Sequence, residues 1–262
     1  MNNTPDFRRQ TTAALAPVVE ASELVRRFGP VTAVDGVSFK VEAREIFGLI
    51  GPNGAGKSTL VKILTTMLPP SSGRALVAGF DVTTAPEQVR KHIGYVPQLL
   101  SSDRELTGYE NLMLSARLYL LPRNERQKRV QEALDLMNLN DARDRLVRDY
   151  SGGMLRRLEI AQSMLHRPSI LFMDEPTVGL DPGGRHTVWQ HVRELNQNLG
   201  SAIVLTTHYM DEAEELCNRV AVISAGKLNA VGTPAELKAR YGPSENLDQV
   251  YEVLTASSES KP

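Results

Sequence analysis

Gly51-Pro52-Asn53-Gly54-Ala55-Gly56-Lys57-Ser58-Thr59 follows the apolar run Ile46-Phe47-Gly48-Leu49-Ile50 and leads into Leu60-Val61-Lys62-Ile63-Leu64. The order is strand, glycine loop, helix, the context that gives the pattern G-x-x-x-x-G-K-[ST] its meaning. Gly51, Gly54 and Gly56 let the backbone turn back on itself, so that several N–H groups face one anion. The free N–H groups and positive dipole end of the following helix add to that attraction. Lys57 supplies a point charge for the outer phosphates of a nucleotide. The Ser58 hydroxyl is short enough to ligate a Mg²⁺ that bridges them. The stretch reads as a phosphate-binding loop, the P-loop, and the chain as a nucleotide binder.

The rest of the chain fits one large domain with room for an insertion: it has 262 residues, 41% hydrophobic and 23% charged. A formal net charge of -1 at pH 7 favours neither nucleic acid nor an anionic membrane surface as partner. The single cysteine, Cys217, allows no intrachain disulfide and reads as a buried, inert thiol. No apolar run reaches the roughly 20 residues of a membrane span. The polar start Met1-Asn2-Asn3-Thr4-Pro5-Asp6 lacks the pattern of a signal peptide. A soluble, cytoplasmic protein is the expectation.

Residues 1–20 are expected to be a flexible leader. Leu24-Val25, Val37–Val41 and Arg74–Ala78 read as strands of a small antiparallel sheet beside the P-loop unit. Three capping boxes are predicted to open helices, at Thr84–Glu87, Thr107–Glu110 and Thr233–Glu236. Val130, Ala133, Leu134 and Met137 recur at helical spacing, so the region from about 100 to 150 reads as a helical insert. Ile93–Val96, Ile170–Met173, Ala202–Thr206 and Val220–Ile223 are apolar runs suited to buried parallel strands. The fold predicted is α/β: a P-loop NTPase core with a mostly parallel sheet, an antiparallel β subdomain and an inserted helical subdomain. The tail, 243–262, is expected to hold one short helix, Leu247 to Leu254.

Asp174 and Glu175 end a buried strand, and the carboxyl ends of parallel strands are where ligands bind. Asp174 can hold Mg²⁺, directly or through water. Glu175 can orient and deprotonate an attacking water. Gln98 follows a strand, and its amide oxygen can reach Mg²⁺ or that water; in isolation a surface glutamine in a turn is the commoner reading. His208 follows another strand and can hydrogen-bond a γ-phosphate, although a lone histidine there is more often a solvated loop residue. Ser151-Gly152-Gly153 opens a helix and offers a second anion-binding end, or an ordinary Ser cap on a glycine turn. His92, His166, His186 and His191 show no ligand spacing.

In this order the segments resemble the ATP-binding cassette (ABC) ATPases, over about residues 22–242. Within the resemblance, Tyr95–Gln98 is the glutamine loop and Tyr150-Ser151-Gly152-Gly153-Met154 the signature. Ile170–Glu175 is the Walker B strand, Gly179-Leu180-Asp181 the D-loop, and Thr207-His208 the switch histidine. The resemblance implies that ATP is bound with Mg²⁺ and hydrolysed. It implies cassettes that pair head to tail, with Ser151, Gly152 and Gly153 of one chain closing over ATP on the other's P-loop. Phe28 stands where the family commonly stacks an aromatic on adenine. Two positions depart from the usual signature, Tyr150 for Leu and Met154 for Gln, and Met cannot donate the hydrogen bonds of Gln. This variant, with Arg156-Arg157-Leu158 after it, resembles the branch that powers export of drugs, lipids and polysaccharides. The implied partners are a multi-span membrane permease, docked on the helical insert at the inner face of the cell membrane, and a second cassette. No nucleic acid is expected. A soluble ABC ATPase acting on ribosomes or DNA, and an importer ATPase, are the alternatives.

Overall fold

The structure, a computed structural model, describes residues 16–241 and 246–259. The expected leader lies outside the described residues up to residue 15, as do residues 242–245 and 260–262 of the tail region. The first half runs β1 (Val19–Phe28), β2 (Val31–Val41), β3 (Ile46–Ile50), α1 (Lys57–Leu64), β4 (Ser72–Val77), β5 (Phe80–Asp81), α2 (Pro86–His92) and β6 (Ile93–Val96). Next come α3 (Gly108–Leu118), α4 (Arg123–Leu136), α5 (Gly152–Met164), β7 (Ile170–Asp174) and α6 (Pro182–Leu199). The chain then forms β8 (Ala202–Thr207), α7 (Met210–Leu216), β9 (Arg219–Ser224), β10 (Lys227–Gly232), α8 (Pro234–Tyr241) and α9 (Leu247–Glu259).

The larger sheet has the order β10-β9-β3-β8-β7-β6. Its strands are parallel except for β10, which pairs antiparallel with β9. Every residue of β3, β7 and β8 is buried, which is why they appear in the sequence as unbroken apolar runs. Period-two alternation still sorts their side chains. Phe47, Leu49, Ile170 and Phe172 face α1 and the antiparallel sheet, whereas Ile46, Ile50, Leu171 and Met173 face the helices α5 to α7. Burying each of these large side chains stabilises the fold by about 1.5–3 kcal/mol.

The smaller sheet, β2-β1-β4-β5, is antiparallel as expected. Its strands are longer than the sequence indicates, and β1 begins at Val19, inside the stretch read as leader. Register shifts within the β1–β2 pair break the alternation of apolar and polar residues, which hides the length of both strands.

Two of the three capping boxes form. Thr107 and Glu110 cap reciprocally at the start of α3, and Thr233 and Glu236 do the same before α8. The box at Thr84 does not form: α2 has Ala85 at its N-cap with no side-chain cap. Asp81 Oδ1 instead accepts from the N–H groups of Thr83 and Thr84, at 2.9 and 3.1 Å. This upstream turn fixes the approach to the helix before Thr84 can cap it. Among the described residues of the tail, the helix reaches Glu259, beyond the expected end at Leu254.

Candidate functional site

Four neighbouring strands end at the same level. Ile50 pairs with Thr207, Asp174 with Thr206, and Val96 with Met173. The segments that follow β3, β8, β7 and β6 therefore converge on one edge of the sheet. They carry the P-loop, His208, Glu175 and Gln98.

The P-loop has no room for side chains at two of its glycines. A Cβ on Gly56 would lie 2.2 Å from the carbonyl oxygen of Ala33, and Gly56 holds φ at 101°. A Cβ on Gly51 would lie 2.1 Å from Ile223 O. The loop leads into α1, and its residues Pro52 to Thr59, together with Ala33, Gln98 and Glu175, line a cleft of about 330 Å³.

Lys57 is buried, and its Nζ donates to Gly51 O at 2.7 Å and Pro52 O at 3.0 Å. It also lies 3.5 Å from Glu175 Oε1. Burial pulls the Lys57 ammonium below its ordinary pKa, and the carboxylates of Glu175 and Asp174 pull it back. Ser58 Oγ and Thr206 Oγ1 donate to Asp174 Oδ1, at 2.9 and 2.6 Å. A hydroxyl and a carboxylate meeting at one point form an oxygen set of the kind Mg²⁺ takes, so these residues fit that ion.

Glu175 is buried and sits in left-handed backbone, φ 49°, a conformation a non-glycine residue holds only where its surroundings impose it. Here its N–H donates to Thr206 O and Oγ1 at 3.1 and 2.9 Å. The carboxylate then meets Gln98 Nε2 at 3.2 Å and His208 Nδ1 at 3.3 Å. Gln98 thus turns its amide nitrogen, not its oxygen, toward Glu175. His208 is partly exposed and packs on Tyr209, with ring centroids 4.2 Å apart.

Ser151, Gly152 and Gly153 are not in this cleft. They line a second one, of about 320 Å³, with Gly179, Leu180 and Asp181. Ser151 caps α5 by accepting from Met154 N–H at 3.3 Å. Asp181 caps α6 in the same way. Phe28 closes β1, exposed, with the Arg26 guanidinium 4.6 Å above its ring. It pairs with Val31 at the start of β2, two residues before the Ala33 that walls the P-loop cleft.

Thr206 is the residue the sequence reading passed over. It holds Asp174 and the Glu175 backbone at once, and it was legible only as part of an apolar strand. Its place opposite Asp174 emerges only from the parallel register of β7 and β8.

A family model described as "ABC transporter" matches residues 34–178. The chain is 47% identical over 224 residues to the daunorubicin/doxorubicin resistance ATP-binding protein DrrA of Streptomyces peucetius. That match covers 86% of this chain and 68% of that protein. This chain belongs to the ABC transporter family. The linearmycin resistance ATP-binding protein LnrL of Bacillus subtilis is 38% identical to this ABC ATPase, over 86% of the chain and 72% of LnrL. A solved ATP-binding subunit of an ABC transporter superposes with a TM-score of 0.80 at 30% identity, covering 91% of this chain and 99% of that one. This chain is accordingly an ATP-binding and ATP-hydrolysing ABC subunit. Among its described residues no helix is long and apolar enough to cross a membrane.

Proposed function

We propose that this ABC ATPase drives an exporter. It works as a pair of cassettes, residues 21–242 of each chain, beneath a separately encoded membrane permease at the inner face of the cell membrane. The observation that carries the pairing is the separation of the two clefts. Lys57 and Ser58 line one, Ser151–Gly153 line the other, and both offer backbone N–H groups at a helix start. A second copy placed head to tail brings the Ser151 cleft of one chain over the P-loop of the other.

In that reading the P-loop residues and Phe28 hold ATP, with Lys57 on the outer phosphates and Phe28 stacked on the base. Ser58, Asp174 and Gln98 hold Mg²⁺, which when bound supplies positive charge against the phosphate oxygens. Glu175 takes the proton of the attacking water. His208, within reach of Glu175, faces the terminal phosphate. Gln98 links the site to the helical insert.

Export rather than import is supported by relatives whose names record drug resistance, and by the Nod factor export ATP-binding protein I of Ralstonia nicotianae, 42% identical over 221 residues. A docking surface for the permease is supported by apolar side chains left in solvent beside the Gln98 loop and α3. Leu99 is 82% exposed, Leu118 73% and Leu120 84%.

The test pairs a variant with a purification. Glu175→Gln is expected to bind ATP and accumulate as a closed dimer on gel filtration, with hydrolysis down about 10²–10⁴-fold. A variant that stays monomeric with ATP, or turns over at the normal rate, overturns the pairing and the role of Glu175. Copurification of a multi-span membrane protein supports the exporter, whereas ribosomes or DNA in its place refute it.

A further inference from the structure

The helix that begins at the signature grips the glutamine loop. Arg156, one turn into α5 and almost fully buried, donates Nη1 to Pro97 O at 2.7 Å and Nη2 to Gln98 O at 3.0 Å. The same guanidinium pairs with Glu159 Oε2 at 3.1 Å. The other carboxylate oxygen of Glu159 accepts from Ser101, N–H at 2.5 Å and Oγ at 3.3 Å. One turn further on, Gln162 Oε1 accepts from Ser102 Oγ at 2.8 Å. Three residues at a spacing of three, on one helix face, thus hold the irregular backbone from 97 to 102.

Both charges of this pair are withdrawn from water, which is costly unless every donor and acceptor finds a partner. Most of their partners are main-chain groups of the loop. An apolar helix face would fill the same volume without that cost but would leave the carbonyls of Pro97 and Gln98 unheld. The two ends of the connection are both functional candidates. Gln98 donates to Glu175, and α5 starts from Ser151-Gly152-Gly153.

We propose that Arg156 and Glu159 are positioning residues that make the Gln98 loop of one ATP site and the Ser151–Gly153 end of the other move as one body. This rests on the head-to-tail reading above, in which those two ends belong to different nucleotides. A change at Glu175 and Gln98 in a chain's own site then reaches its neighbour's site through a stiff contact. Hydrolysis by the pair is cooperative in ATP for that reason.

The test compares wild type, Arg156→Lys and the double variant Arg156→Met/Glu159→Leu by hydrolysis rate against ATP concentration. Lys keeps the charge beside Glu159 but lacks the fork that reaches two carbonyls. The double variant replaces the pair with apolar side chains of similar size, so no lone charge is left buried. Wild type is expected to show a Hill coefficient above one, within the two-site limit. Both variants are expected to approach one, with kcat lowered, with the double variant still folded at the assay temperature, and with unchanged affinity for ADP in both. A wild type without cooperativity overturns this proposal, while the two-chain reading falls only if Glu175→Gln stays monomeric with ATP. A cooperative wild type with equally cooperative variants overturns the proposal alone. Loss of ADP affinity in step with kcat assigns the pair a plain structural role and also overturns it.

Discussion

The indole Nε1–H of Trp189 donates to Glu212 Oε1 across 2.8 Å, and Thr177 Oγ1 donates to the same oxygen at 2.7 Å. Glu212 is completely buried on α7, and Thr177 stands two residues after Glu175. Trp189 is the chain's one tryptophan, so its fluorescence reports on this carboxyl. Burial pushes the Glu212 carboxyl above the ordinary range, and the hydroxyls of Thr207 and Thr177 with the indole pull it back. With a folded pKa above the unfolded one, the folded state holds the proton more tightly. The resulting stability is complete below the unfolded value, about 4.3, and is lost as pH rises through the folded value. Glu212→Gln keeps an acceptor for Trp189 and Thr177 but does not titrate. Urea unfolding from pH 5 to 8 should therefore show the variant gaining on wild type as pH rises. A difference that stays constant across that range would refute the assignment.

Two threonines that look alike in sequence should behave differently. Thr107→Ala removes a formed capping box and is expected to cost about 1 kcal/mol. Thr84→Ala removes no cap and should change stability by less than about 0.5 kcal/mol. Denaturant midpoints of the two variants check the contrast, and equal losses would contradict it.

Phe28 carries Arg26 near its ring, and stacking of a base on an aromatic ring is worth about 1–3 kcal/mol. Phe28→Ala should weaken ATP binding by about 5–150-fold, whereas Phe28→Tyr should leave it near wild type. Titration with ATP decides; unchanged affinity in the alanine variant would remove Phe28 from the base site.

Gly56→Ala forces a Cβ against the Ala33 carbonyl in backbone that favours glycine. The P-loop must shift to admit it, and ATP affinity is expected to fall at least about tenfold. Binding at wild-type strength would show that the loop yields there at little cost.

The parts of the molecule that could be read from the sequence share a physical property. In β3, β7 and β8 every residue is buried, so the composition of the run is itself the strand signal, and the chemistry sits where each run stops. The P-loop was legible because its own glycines and lysine make the site. The rest depends on partners distant in the chain. Arg156 enters the sequence reading only as a residue that follows the signature, because its partners Pro97 and Gln98, like the Ser101 that Glu159 accepts from, lie far away in the chain. Glu212 lies inside the core against Trp189 and Thr177, and nothing in its own neighbourhood of the chain marks it as buried. Thr84 and Thr107 share a local pattern, but upstream of Thr84 the Asp81 carboxylate holds the N–H groups of Thr83 and Thr84.

The crowding at Gly56 has one more result. Ala33 of the antiparallel sheet presses on the P-loop, and Gly226, in the turn between β9 and β10, lies against both: its N–H bonds Ala55 O at 3.0 Å and its carbonyl accepts from Asp35 N–H at 2.8 Å. The hairpin bearing Phe28 is thereby riveted to the loop bearing Lys57. In the proposed reading, where Phe28 stacks on the base and Lys57 meets the phosphates, this fastening holds the two contacts at one fixed spacing.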